Sequence, residues 1–181
     1  IKKVLDIQPL QINHDFPNPL DRGSLIHKIL QDIYESLQNG KSKIILSKAW
    51  LVNTNGKWKY SKTRNSKKSF PLLVLSKDKE KEILLYAETI TSHHIEMVNK
   101  KNQRFGFGNK TIWSIECEKI LQSVRTILTQ DINSAESTDP SYPVLFEYNF
   151  GSNNTESISL GGINLIGKID RVDVSFDSEN K

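Results

Sequence analysis

The hydrophobic period changes along this chain, and that change limits what it can fold into. Over 21–38, 77–100 and 111–133 apolar residues recur at helical spacing; from Val144 they come in short alternating runs. Helices come first and a meander of strands comes last. Ile26, Ile29, Leu30, Ile33 and Leu37 follow the i, i+3, i+4, i+7, i+11 rhythm of one buried helix face. This spacing predicts a helix over 21–38, capped by Asp21 or Ser24 and closed by Asn39-Gly40. Ahead of it, Pro9, Pro17 and Pro19 keep residues 1–20 extended.

A second helix is predicted over 77–100, with Ile83, Ala87, Ile90, His94 and Met97 on one face. A third covers 111–133, its apolar side supplied by Ile112, Ile115, Ile120, Val124, Ile127 and Leu128. Between them, residues 101–110 form a connector with Gly106 and Gly108. Strands are expected over 144–150, 157–160 and 164–176, punctuated by Gly151-Ser152-Asn153-Asn154 and Gly161-Gly162. In the last strand Ile166, Lys168, Asp170 and Val172 share one face, with Leu165, Ile169, Arg171 and Asp173 on or near the other. Residues 41–55 are ambiguous, since Ile44-Ile45-Leu46 suits a strand or the start of a helix. Residues 57–68 hold six basic residues, two aromatics and no acid, and read as an exposed loop or ragged hairpin.

Composition removes several classes of function. No apolar run approaches the ~18 residues of a membrane span. The single cysteine, Cys117, excludes an internal disulfide framework and any cysteine-built zinc or iron–sulfur site within these residues. It is expected to be a small buried hydrophobe, and its solitude fits a reducing, cytoplasmic setting. A net charge of +4 allows a polyanionic partner without requiring one. The first residue is Ile1 rather than Met, and the last five, Asp177 to Lys181, are turn chemistry. A half-apolar strand needs partners or a protected edge. The expectation is therefore a fragment of a longer protein, with one more strand to follow.

Two segments carry candidate chemistry. In Asp21-Arg22-Gly23-Ser24-Leu25-Ile26-His27, the histidine sits beside the apolar face, and Gly23 one turn earlier leaves room above the imidazole. Either a metal or phosphate approaches there, or His27 is a boundary residue packed on Leu30 and Tyr34. In Gly167-Lys168-Ile169-Asp170-Arg171-Val172-Asp173, an acid interrupts an apolar strand. A core-facing carboxylate needs a charged partner or a metal. A solvent-facing one needs neither and leaves Arg171 to pair with a neighbour. Alternation alone does not decide between these. His93 and His94 read as surface or boundary residues.

The two segments, with Phe146-Glu147-Tyr148-Asn149-Phe150 between them, resemble the nuclease domain of RecB/AddB-like helicase–nuclease subunits, a branch of the PD-(D/E)XK nuclease superfamily. Trp113-Ser114-Ile115-Glu116 and the helix after it resemble the AddB-like branch. The resemblance runs from about Asp21 to Val174; residues 41–110 take no part in it. It implies an α/β fold of the restriction-endonuclease type, with helices packed on a central mixed sheet and a helical insertion. Residues 21–181 would then be the front part of one such domain. It further implies a Mg²⁺- or Mn²⁺-dependent deoxyribonuclease of exonuclease type acting in DNA break repair and recombination. His27 and Asp170 would be metal ligands, and Glu147 would join them as a third catalytic residue.

DNA would be the substrate, contacted by Lys57, Lys59, Lys62, Arg64, Lys67, Lys68, Lys168 and Arg171, with Trp58 or Tyr60 stacking on a base. A helicase–nuclease partner subunit is a further expectation, and a membrane is not. The family's Asp-x-Lys strand matches nothing after Asp170, so residues 1–181 alone are expected to bind metal weakly and cut poorly. The alternative is a degenerate nuclease fold kept as a DNA-binding or subunit-contact module.

Overall fold

The computed structural model describes residues 18–64, 68–100, 110–151 and 158–176. The lead-in up to residue 17, Lys67, the connector 101–109, residue 157 and the last five residues lie outside the described residues.

Helix α1 spans Pro19–Gln38. It starts earlier than its periodicity suggests, because Asn18 is the cap: its side-chain oxygen accepts from the Leu20 N–H at 3.0 Å. Pro19 then occupies the first turn, where its fixed φ suits a helix and its missing N–H costs nothing. Neither Asp21 nor Ser24 caps it; Asp21 sits in the first turn, where an acid complements the helix dipole. Helix α1 closes on Asn39 and on Gly40 at φ +67°. A 3₁₀ turn over Lys77–Lys79 leads into α2, Glu80–Lys100, and α3 is Lys110–Ala135. No described helix is long and apolar enough to cross a membrane.

Residues 44–46 are neither helix nor strand, and Ile45 is exposed. Strand β1 is Lys48–Thr54, β2 is Lys57–Ser61 and β3 is Ser69–Leu73, joined in the antiparallel order β2-β1-β3. The basic segment is thus half hairpin: Thr54 pairs with Lys57 across Asn55-Gly56, both at positive φ. That two-residue turn matches the twist of the strands it joins.

Strand β4 is Ser141–Phe150, three residues longer at its start than the apolar run predicts. The expected single strand 164–176 divides at Ile166 into β6, Ile163–Leu165, which pairs with β5, Ile158–Leu160, and β7, Gly167–Ser175, which pairs with β4. The break lies beside Gly151 at φ +75°. A Cβ there would strike the Leu165 carbonyl and Ile166, so β4 can turn away only at a glycine. Every pairing among the described strands is antiparallel.

Helices and strands share two cores. The larger joins the three helices to Leu73 and Leu75, through Ile29, Ile33 and Leu37 of α1, Ile83 and Ala87 of α2, and Ile120, Val124, Leu128 and Ile132 of α3. The smaller holds Ala49, Leu51 and Leu72 of the three-stranded sheet against Tyr142, Val144 and Phe176. The molecule is therefore α/β, with helices packed against sheet, consistent with a restriction-endonuclease-like fold; in place of the expected central mixed sheet, the described strands form three separate antiparallel sheets.

The buried stripe of α3 keeps the expected Ile120, Val124 and Leu128 and departs from expectation in the first turns. Ile115 is half exposed, while Trp113 and Glu116 are buried. The Glu116 carboxylate tolerates burial because Arg22 at 3.2 Å and Lys119 at 2.9 Å satisfy it. Burial pushes its pKa up, but the hydrogen bonds from Lys119 and Arg22 outweigh it and hold the group below the usual carboxylate range. Asp32 behaves alike: burial raises it, and bonds from Lys28 and from His94 at 2.8 Å lower it further than burial lifts it. Both groups are proton-poor in the folded state, so the unfolded chain binds more protons as pH falls. Their contribution is complete above the ordinary values of 4.5 and 3.8 and is lost as pH drops through the depressed native ones. The thermal midpoint is expected to hold steady down to about pH 5 and then fall. Glu116→Gln should flatten that fall; an unchanged acid limb would contradict this account.

Candidate metal centre

Three elements converge on one open cleft of about 510 Å³. Helix α1 supplies Gly23 and His27, β4 supplies Glu147, and β7 supplies Lys168 and Asp170. One ligand atom from each of His27, Glu147 and Asp170 lies within 4.8 Å of the others. His27 Nδ1 stands 3.3 Å from Asp170 Oδ2, with both side chains more than half exposed.

The local backbone explains this convergence. Along β7 exposure alternates, with Lys168 and Asp170 outward and Ile169 and Arg171 inward. Asp170 is thus the solvent-facing carboxylate of the two alternatives, and it faces a cleft rather than bulk solvent. Phe146 pairs with Arg171 and Tyr148 with Ile169, which sets Glu147 across from Asp170. Glu147 itself has φ +52°, in the left-handed region that a glutamate rarely adopts. Such a residue costs about 1–3 kcal/mol and persists where surroundings over-determine it, typically at functional sites. A register shift between Pro143 and Leu145 brings the strand into this irregular stretch.

The cleft is charged but balanced. Lys168 forms an ion pair with Glu147, whose side chain is mostly buried. One imidazole and two carboxylates suit a hard divalent cation that keeps several waters. The Lys168 ammonium stands where such a cation would neutralise Glu147, so the donor set already accommodates positive charge. A Cβ added at Gly23 would meet nothing within 4 Å. No packing inside the described chain requires glycine there, although Gly in a helix costs about 1 kcal/mol relative to Ala.

Arg171 does not join the cleft's free cations. Its guanidinium bonds Asp131 at 2.7 and 3.0 Å and Asp173 at 2.7 Å. Of the other described basic residues, Lys57 and Lys59 lie on β2, and Lys62, Arg64 and Lys68 lie between β2 and β3. Lys57, Lys59, Lys62 and Arg64 are exposed, with Arg64 lying 5.3 Å over the Trp50 ring. The Lys68 carbonyl accepts from the Asn53 N–H. Trp58 is 44% exposed, whereas Tyr60 packs between Tyr142 and Phe176 and is not free to stack on a base. His94 pairs with Asp32, and Cys117 is half-buried on α3. A larger cavity, about 600 Å³, lies between the end of α1 and strands β1 and β3. No carboxylate or imidazole lines it, so the chemistry belongs to the smaller cleft.

A family model described as the PD-(D/E)XK nuclease superfamily matches residues 2–181. No curated protein and no solved structure matches the chain.

Proposed function

We propose, because the chain belongs to the PD-(D/E)XK nuclease superfamily, that the His27–Glu147–Asp170 cleft is the metal-dependent centre of a deoxyribonuclease of the RecB/AddB-like type. The observation that carries the reading is the convergence of these three donors, drawn from two strands and a helix far apart in sequence. The finer assignment, to DNA break processing alongside a helicase-bearing partner subunit, rests on the order and spacing of DRGSLIHKIL, FEYNF and GKIDRVDV.

His27 offers a ring nitrogen, and Asp170 and Glu147 offer carboxylate oxygens, to hold Mg²⁺ or Mn²⁺. When bound, such an ion supplies charge neutralisation at the phosphate and an acidified water. The chain's own residues do the rest. Gly23 lets a sugar–phosphate backbone approach helix α1. Lys168 offers ammonium donors to a phosphate oxygen where negative charge develops. Lys57, Lys59, Lys62, Arg64 and Lys68 attract the polyanion to the sheet; from Lys41 to Ser76 the sequence contains no acid. Trp58 is the aromatic left exposed for stacking.

Cleavage of linear DNA by the full-length protein, with and without Mg²⁺ or Mn²⁺, tests this reading. Metal-dependent cutting is the expected result. Salt-sensitive binding with no cutting would instead make this a degenerate nuclease fold kept for binding.

Lys168→Met makes a sharper test, because the lysine has two opposed effects. It competes with a divalent ion for Glu147, so its loss should tighten Mn²⁺ binding. It also bonds phosphate, and a charged hydrogen bond is worth about 1.5–3 kcal/mol. Cleavage at saturating metal should therefore drop about ten- to hundredfold. Weaker Mn²⁺ binding in calorimetry would contradict this role.

A further inference from the structure

His27 and Asp170 come from opposite ends of the described chain. Both are mostly exposed, and an exposed ion pair contributes about 1 kcal/mol or less. Their own contact cannot hold the cleft to a fixed width. The backbone must do so, and the only described strand partner of β7 is β4. The tie between β7 and the helices is made by the residue next to Asp170.

Arg171 points inward and meets both helices. It forks onto Asp131 of α3, with one guanidinium nitrogen 2.7 Å from Oδ2 and the other 3.0 Å from Oδ1. The same guanidinium donates to the Tyr34 hydroxyl of α1 at 3.2 Å and lies 5.2 Å over the Tyr34 ring. Tyr34 donates in turn to Asp131, and its ring stacks on Phe146 of β4 at 5.0 Å. Asp173 holds the guanidinium's third edge. Burial and the neighbouring Asp131 push the Tyr34 phenol well up, so it remains a donor.

Tyr34 follows His27 by seven residues, which puts both on one side of α1, two turns apart. A small cavity of about 150 Å³ joins this knot to the cleft: His27, Glu147 and Asp170 line it together with Tyr34, Phe146 and Arg171. A bidentate fork is directional, so its loss shifts the strand rather than merely loosening it.

We propose that Asp131, Arg171 and Tyr34 are positioning residues that set the spacing of His27 and Asp170, and thereby the affinity of the cleft for a divalent cation. The proposal rests on the metal-dependent reading of that cleft. None of the three belongs to the cleft's candidate donor set. Asp131→Asn keeps the shape and replaces one acceptor of the fork with a donor.

The test is calorimetric Mn²⁺ titration of the full-length protein, run beside cleavage of linear DNA as a function of Mn²⁺. Asp131→Asn is expected to weaken Mn²⁺ binding about tenfold or more, as loss of a ligand-orienting partner does. Cleavage should fall at low Mn²⁺ and recover at saturating Mn²⁺, with KM for DNA unchanged. Tyr34→Phe, a milder change that keeps the ring stack, should move the Mn²⁺ affinity in the same direction by less. Variants with a lower thermal midpoint but unaltered Mn²⁺ affinity would overturn the proposal and leave the knot purely structural. Cleavage that excess Mn²⁺ does not restore would overturn it as well. If the unsubstituted protein binds no Mn²⁺, or His27→Ala binds it equally well, the metal-dependent reading itself falls, and this proposal with it.

Discussion

Asp170→Ala is expected to abolish metal-dependent cleavage while leaving the protein folded. The side chain is 62% exposed, and its one ion-pair partner among the described residues is the imidazole of His27, itself 53% exposed. Stability should therefore barely change, since an isolated surface pair contributes little. The chemical loss is of another order. Asp170 would be one of three groups holding the ion, and a metal supplies several kcal/mol of charge stabilisation in the transition state. Each ~1.4 kcal/mol is a factor of ten, so cleavage should fall about 10²- to 10³-fold. Rates on linear DNA at several Mg²⁺ and Mn²⁺ concentrations, read beside a thermal melt, check both halves. A variant that melts like the parent and cuts like it would remove Asp170 from the centre and end the proposed function in its present form.

Ile33→Ala should do the reverse. Ile33 is fully buried in α1, in the core shared with α2 and α3. Truncating a buried isoleucine loses its transfer free energy and leaves a cavity the neighbours fill only in part, for about 2–5 kcal/mol. The urea midpoint should fall accordingly, with the slope unchanged. Ile33 does not line the cleft, so metal-dependent cleavage well below the new midpoint should match the parent. The two substitutions separate folding from chemistry on neighbouring elements. A loss below 1 kcal/mol would mean that this core repacks far more freely than its burial indicates.

Several features were legible before any coordinates. The α1 stripe Ile29, Ile33, Leu37 is buried as its spacing requires. His27 and Asp170 stand out in their motifs and Glu147 follows from the family resemblance; one ligand atom of each lies within 4.8 Å of the others, and a metal role for them remains the proposal above. One signal went unused: Asn55-Gly56 between Val52 and Trp58 is a hairpin turn, and it pairs the front of the basic segment with β1. Asn18 ahead of Pro19 was likewise a readable cap, passed over because the apolar rhythm begins later.

Other features were not readable, because they depend on partners distant in sequence. Glu116 becomes a core residue because Arg22, 94 positions earlier, meets its carboxylate beside the local Lys119. Arg171 looks like a phosphate contact and is instead engaged by Asp131, forty positions away and never a candidate. Tyr60 looks as free as Trp58 until Tyr142 and Phe176 close over it.

Local spacing carries helix faces, turns and the types of group that chemistry needs, because those depend on the period of the backbone and on side-chain valence. Which charges remain free, how wide the cleft stands and where Glu147 points are decided by contacts between elements. Their energies depend on desolvation and distance, and those exist only once the chain has packed.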